Sequence, residues 1–227
     1  MAPWGRMPNA LLVAGAALAV ILLVAVLRRR KPGEAPAAPP PAPERVAVRA
    51  IAVAAGCARA HLEAAAVTER KLAPEEAERH RAALAAWLSR EGLTEALEAR
   101  ERAWIQKPIG TLSEDDLLDA SWSSEGLAVL LWALRAVPAL PPEAVEAEPG
   151  ALMERVPAVG SESRPFVTGA ALRPSEEIEA AAARAQELYD AACRDEFGAR
   201  VASRALSIAL ERRRAFLWLT GDAAFGS

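Results

Sequence analysis

Apolar residues in this chain recur at intervals of three and four, and nowhere do they alternate with polar ones over the length of a strand. The strongest apolar run is ALLVAGAALAVILLVAVL, residues 10–27, which holds 18 residues without a charge or a proline. As a helix it is about 27 Å long, close to the ~30 Å hydrocarbon core of a bilayer. RRRK follows at 28–31, whereas only Arg6 and the amino terminus precede the run. A cleaved secretion signal has the opposite charge order and small residues at a cleavage site. The pattern predicts an uncleaved single transmembrane helix with a basic stop over residues 1–31. The basic excess after the run places the carboxyl-terminal side in the cytoplasm. Gly15 and Ala19 form the small-xxx-small spacing that lets two spans pack closely.

PGEAPAAPPPAP, residues 32–43, cannot form a helix or pack a core. Its prolines hold it near polyproline II, where twelve residues reach about 37 Å. It reads as a linker that sets the following domain off from the anchor.

Residues 44–222 carry the helical period throughout, and 223–227 form a short tail. A first helix is expected over 44–66, with Val48, Ile51, Ala55 and Leu62 near one stripe. Pro74, Glu75 and Glu76 open a second helix that Gly92 ends, its buried face being Leu84, Trp87 and Leu88. A short piece around 95–106 carries Trp104 and Ile105, then breaks at Pro108 and Gly110. Ser113 followed by Asp116 has the spacing of a capping box and starts the next helix. From Leu127 to Leu134 that helix is apolar on every side, yet the uncharged run beginning at Gly126 is too short for a bilayer. It is expected to be the central core helix.

The stretch 138–169 is rich in proline, glycine and glutamate and reads as a long connection, with helical turns near 142–147 and 150–156. A long helix opens at Pro174, with Ile178, Ala182, Ala185, Leu188, Tyr189, Ala192 and Cys193 on its stripe. The last helix, about 200–220, holds Leu206, Leu210, Leu217 and Trp218 and stops at Gly221.

Composition agrees with an all-α fold of one domain plus appendages. The hydrophobic content is 52%, its excess mostly alanine, the best helix former and poor strand material, and aromatics reach only 5%. Charge sharpens the picture. The whole chain carries −3, but 1–43 is basic, so residues 44–227 carry −7. Without a basic stripe such a domain is a poor nucleic-acid binder. Cys57 and Cys193 offer neither a disulfide framework nor a zinc-binding spacing, and no metal or cofactor is expected.

Candidate chemistry centres on Glu125, a lone carboxylate ahead of the most apolar run of the domain. A buried carboxylate needs an arginine or several donors as partners. The structural reading is an ion pair that fixes helix register. The functional reading is a general base whose pKa is raised. His61, near a core stripe, is expected to be a satisfied structural histidine, and His80 to be solvated. Ser121, Ser123 and Ser124 have no nucleophile-elbow context, ERRR at 211–214 reads as an ion-paired helix face, and no glycine-rich phosphate loop occurs.

Four stretches in this order resemble the family catalogued as domain of unknown function 4272: GLTEALEARERAWI at 92–105, SWSSEGLAVLLWALRAVPALPP at 121–142, LRPSEEIEAAAARAQELYDAACRDEF at 172–197 and ERRRAFLWLTGD at 211–222. The resemblance covers most of 44–222 and none of the anchor. It implies a shared pattern at Trp122, Glu125, Arg173, Glu177, Arg194, Asp195, Glu211, Arg212 and Trp218, and with it a candidate polar network of Glu125, Arg173, Glu177, Arg194, Asp195, Glu211 and Arg212, in which Arg194 and Arg212 are the expected partners of Glu125 because both lie in the matched motifs. The chain departs from the pattern where YDAAC replaces a histidine and tryptophan, where Arg213 replaces a histidine, and in lacking an acidic, tryptophan-bearing tail. If those histidines are catalytic in relatives, this member lacks the activity.

Two functions follow as expectations. One is a membrane-tethered cytoplasmic interaction module that binds a protein partner or a second copy of itself. The other is an enzyme or small-molecule sensor with a pocket formed by Glu125, Arg173, Arg194 and Arg212.

Overall fold

The computed structural model describes residues 39–195 and 204–222, so the apolar run at 10–27, most of the linker and the tail lie outside the described residues. Every regular element among the described residues is helical. In chain order they are α1 (Pro43–Glu63), a π-helical turn (Ala64–Thr68), α2 (Pro74–Arg90), a 3₁₀ turn (Thr94–Ala96), α3 (Ala99–Gln106), α4 (Glu114–Ala133), α5 (Pro149–Met153), α6 (Arg164–Thr168), α7 (Ser175–Asp195) and α8 (Arg204–Leu219).

The expected single stripe on the first helix is too narrow. From Val46 to Cys57 every residue of α1 except Val48 is buried. Alanine dominates this segment, and its small side chain lets neighbours approach from all directions. One side of α1 (Val46, Ala50, Val53, Ala54, Cys57) packs with Leu127–Ala133 of α4 and with Ala215, Phe216, Trp218 and Leu219 of α8. Another side (Ile51, Ala52, Ala55) packs with Leu84, Trp87 and Leu88 of α2 and with Leu93, Leu97 and Ile105. The domain therefore has two central helices, α1 and α4, where one was expected. By length and composition alone Pro43–Thr68 would pass for a membrane span, with mean hydropathy 1.3, but 72% of its apolar window is buried in the domain. Its surroundings are those of a core helix.

Buried charge on α1 is locked in place. Arg49 makes a two-pronged contact with Glu101 at 2.7 and 2.6 Å. Glu101 in turn accepts from the amide of Glu98 and completes the capping box of α3. Arg59 reaches Glu63 one turn later at 2.8 Å and donates to the carbonyls of Trp104, Lys107 and Pro108. Glu63 gathers the amides of Gly110 and Leu112. The two residues thus hold the turn between α3 and α4, which needs glycine at position 110, where φ is 85°.

Other expectations meet the structure unevenly. Ser113 caps α4 by accepting from the Asp116 amide, but the reciprocal half of the box is absent. The Asp116 carboxylate turns instead to Trp104 Nε1 and Lys107 Nζ. The 138–169 connection carries two short helices, α5 and α6, the second of which had no sequence signal. His61 is exposed rather than part of the core, because its position on α1 lies beyond the all-round buried stretch. α7 lies outermost and rests on α8, burying Ile178 and Ala185 but leaving Cys193 exposed.

Candidate functional site

Glu125 sits mid-helix in α4 and is fully buried. Its Oε2 accepts from Nε and Nη2 of Arg212, each at 2.8 Å, and its Oε1 accepts from the Ala147 amide at 2.7 Å. Arg212 comes from α8 and is 6% exposed. Its Nη1 donates to the carbonyls of Pro141 and Pro142, and its Nη2 also donates to that of Val145. A guanidinium has five N–H groups, and five acceptor contacts are present. Prolines at 141 and 142 leave that stretch without amides of its own at those positions, so Arg212 meets a row of carbonyls that no helix or sheet claims. The pair is a closed clamp on residues 141–147.

The other network residues do not join it. Arg173 stands at the carboxyl end of α4, with Nε on the Trp132 carbonyl at 2.7 Å and Nη2 on those of Val137 and Pro138. Its guanidinium lies 4.8 Å from the Trp132 ring centre, and Nη1 meets Glu177 at 2.8 Å. It satisfies carbonyls that a helix end leaves orphaned. Arg194 is exposed at the end of α7 and does not pair with Glu125, and the side chain of Asp195 lies outside the described residues. A pocket formed by Glu125, Arg173, Arg194 and Arg212 therefore does not assemble: one pair is closed, Arg173 is spent on backbone, and Arg194 faces solvent.

Glu211 belongs to a different cluster. It pairs with Arg214 at 2.6 Å, and burial pushes its carboxyl above the usual range against the opposing pull of Arg214 and Arg100. Across from it, burial also raises Glu98. The ERRR run thus diverges: Glu211 and Arg214 pair with each other, Arg212 turns to the core, and Arg213 lies 4.8 Å from the Tyr189 ring centre while bonding Gln186.

Two of the concavities among the described residues bear on a site. One is a notch of about 10 Å³ between α1, α3, α4 and α8, with Arg100, Ser123 and Glu211 in its wall. The other is an open apolar groove of about 230 Å³ formed by Leu134, Ala136, Pro165, Phe166, Gly169 and Ala170. Neither is lined by Glu125 or Arg212. Among the described residues no group of histidine, cysteine, aspartate and glutamate is placed to hold a metal ion. Cys57 is buried, and its thiol is pushed up to about 12 chiefly by that burial, which makes it a poor nucleophile.

Sequence reasoning missed the pairs Arg49–Glu101 and Arg59–Glu63. A signal existed in the second case, since arginine and glutamate four residues apart inside an alanine-rich helix mark a self-compensated buried charge.

The family model described as domain of unknown function (DUF4272) matches residues 31–225. The chain belongs to this family. In this DUF4272 member all four of the resembling stretches fall inside the match, and the apolar run at 10–27 falls outside it. No curated protein and no solved structure matches the chain. The family description names no activity.

Proposed function

We propose that this DUF4272 member is a helical interaction module tethered to a membrane by residues 10–27, with its domain on the cytoplasmic side. The observation that carries the reading is the uncharged 18-residue run followed at once by RRRK. The proline-rich linker adds reach, about 37 Å when extended. The buried charges of the domain support binding rather than catalysis. Each arginine–carboxylate pair in the core is closed on itself or on backbone, and the pairs hold helices and turns together.

The test is photo-crosslinking of the full chain in its native membranes, compared with a chain lacking residues 1–31. The tethered-module reading expects a discrete crosslinked species, either a second copy or one defined partner, that is lost when the domain is released from the membrane. A chain that stays monomeric and crosslinks to nothing in either form would overturn it.

A further inference from the structure

The notch between α1, α3, α4 and α8 is lined by Val53, Arg100, Glu101, Ser123, Gly126, Glu211 and Arg214. Three of the stretches that carry the family resemblance meet there: 92–105 through Arg100, 121–142 through Ser123 and 211–222 through Glu211. Its volume of about 10 Å³ suits a single water.

The lining has the polarity a water needs. Arg100 Nε–H is buried and meets no acceptor within hydrogen-bond distance. The carboxylate oxygens that the Arg100 guanidinium pairs with, Glu98 Oε2 and Asp119 Oδ2, both stand 3.8 Å away. That is too far for a direct hydrogen bond, so neither carboxylate satisfies the Arg100 guanidinium directly. Glu101 is committed to Arg49 and to the Glu98 amide. Ser123 Oγ donates to the Asp119 carbonyl at 3.1 Å and keeps its lone pairs free to accept. Glu211 receives Arg214 on Oε1, while Oε2 receives no hydrogen bond among the described residues.

The geometry points to an integral water-binding site here, a water accepting from Arg100 Nε–H and donating to Glu211 Oε2 and Ser123 Oγ. Such a water makes three hydrogen bonds, the usual number for a buried one. It ties α3, α4 and α8 at one point and lets Arg100 lie over the Trp104 ring, 5.5 Å from its centre, instead of collapsing onto a carboxylate.

The test is a crystal structure of the full chain at a resolution that orders internal water, with Arg100→Lys as the variant. The site is supported by a density peak within hydrogen-bond distance of Arg100 Nε and of Glu211 or Ser123, and by its loss in Arg100→Lys while the Glu211–Arg214 pair stays. Direct bonding of Nε to a carboxylate with no peak would overturn the site. A peak that persists unchanged in Arg100→Lys would overturn the role of Arg100. Ser123→Ala is the milder second variant. It removes one acceptor and leaves two partners, so the peak should remain with weaker density, and a peak undiminished there would remove Ser123 from the site.

Discussion

Arg212 of α8 holds Glu125 of α4 through two contacts of 2.8 Å, although the two residues lie 87 positions apart in the chain. The pair does more than join two helices. Through the Pro141, Pro142 and Val145 carbonyls and the Ala147 amide it fixes a connection that has few hydrogen bonds of its own. Burying two charges is costly, and the cost is offset here because every donor on the guanidinium has an acceptor.

Breaking this clamp on one side should be far worse than removing it whole. Glu125→Ala is expected to lower stability by about 3–5 kcal/mol, because Arg212 is left charged and buried. Glu125→Leu combined with Arg212→Met should recover much of that loss. Urea denaturation of the single and double variants measures the difference. A double variant no more stable than the singles would show that the carbonyl contacts of Arg212 matter more than its pairing with Glu125.

Acid and mild acid should act in opposite directions. The Glu211 carboxyl is raised in the folded state by burial, so its ionised form opposes folding at neutral pH. Its contribution should improve as pH falls through its folded pKa, and Glu211→Gln should flatten that gain. The Asp116 carboxyl is held down to about 2 by Lys107 and Trp104. Its contribution is present above its ordinary value of about 4 and is lost between roughly pH 4 and 2. Denaturation midpoints followed across this range, with Asp116→Asn alongside, separate the two effects.

Arg135 occupies the left-handed region, with φ at 60°, just past the end of α4. It is exposed, and its side chain makes no hydrogen bond or ion pair among the described residues. A side chain at this position carries a steric cost that glycine escapes. Arg135→Gly should therefore raise stability by about 0.5–1 kcal/mol, read as a shift in the urea midpoint. An unchanged or lower midpoint would mean that the arginine has a compensating role.

The two cysteines should differ sharply in reactivity. Cys193 is exposed on α7, whereas Cys57 is buried on α1 with its thiol pushed up to about 12. A maleimide reagent is expected to label one site on the native chain and a second only after unfolding. Labelling of Cys57 at the native rate of Cys193 would show that α1 opens readily.

Much of the helical plan was legible because it rests on local signals. Pro74 sits in a first turn, Gly221 follows α8, and the apolar run of α4 is buried on all sides as its composition requires. The all-round burial of α1 was not legible. Alanine is compatible with a stripe or with full enclosure, and only the packing of α2 on one side and α4 on the other decides between them. Arg212 could be named as a partner of Glu125 because it lay in a matching stretch, yet Arg194 had the same standing and faces solvent. Their helices separate them: α8 packs on α4, whereas α7 rests on α8. The partners Pro141, Pro142 and Val145 could not be read at all, since backbone acceptors leave no mark in the side-chain pattern.

The tether is the claim on which the functional account depends, and alkaline carbonate extraction of membranes tests it most directly. The full chain should stay with the membrane pellet, and a chain lacking residues 1–31 should move wholly to the supernatant, because most of the apolar window of α1 is buried in the domain. Release of the full chain by carbonate, or recovery of a chain cleaved near residue 31, would contradict the account. Retention of the shortened chain would contradict it in a different way, by making Pro43–Thr68 the membrane segment.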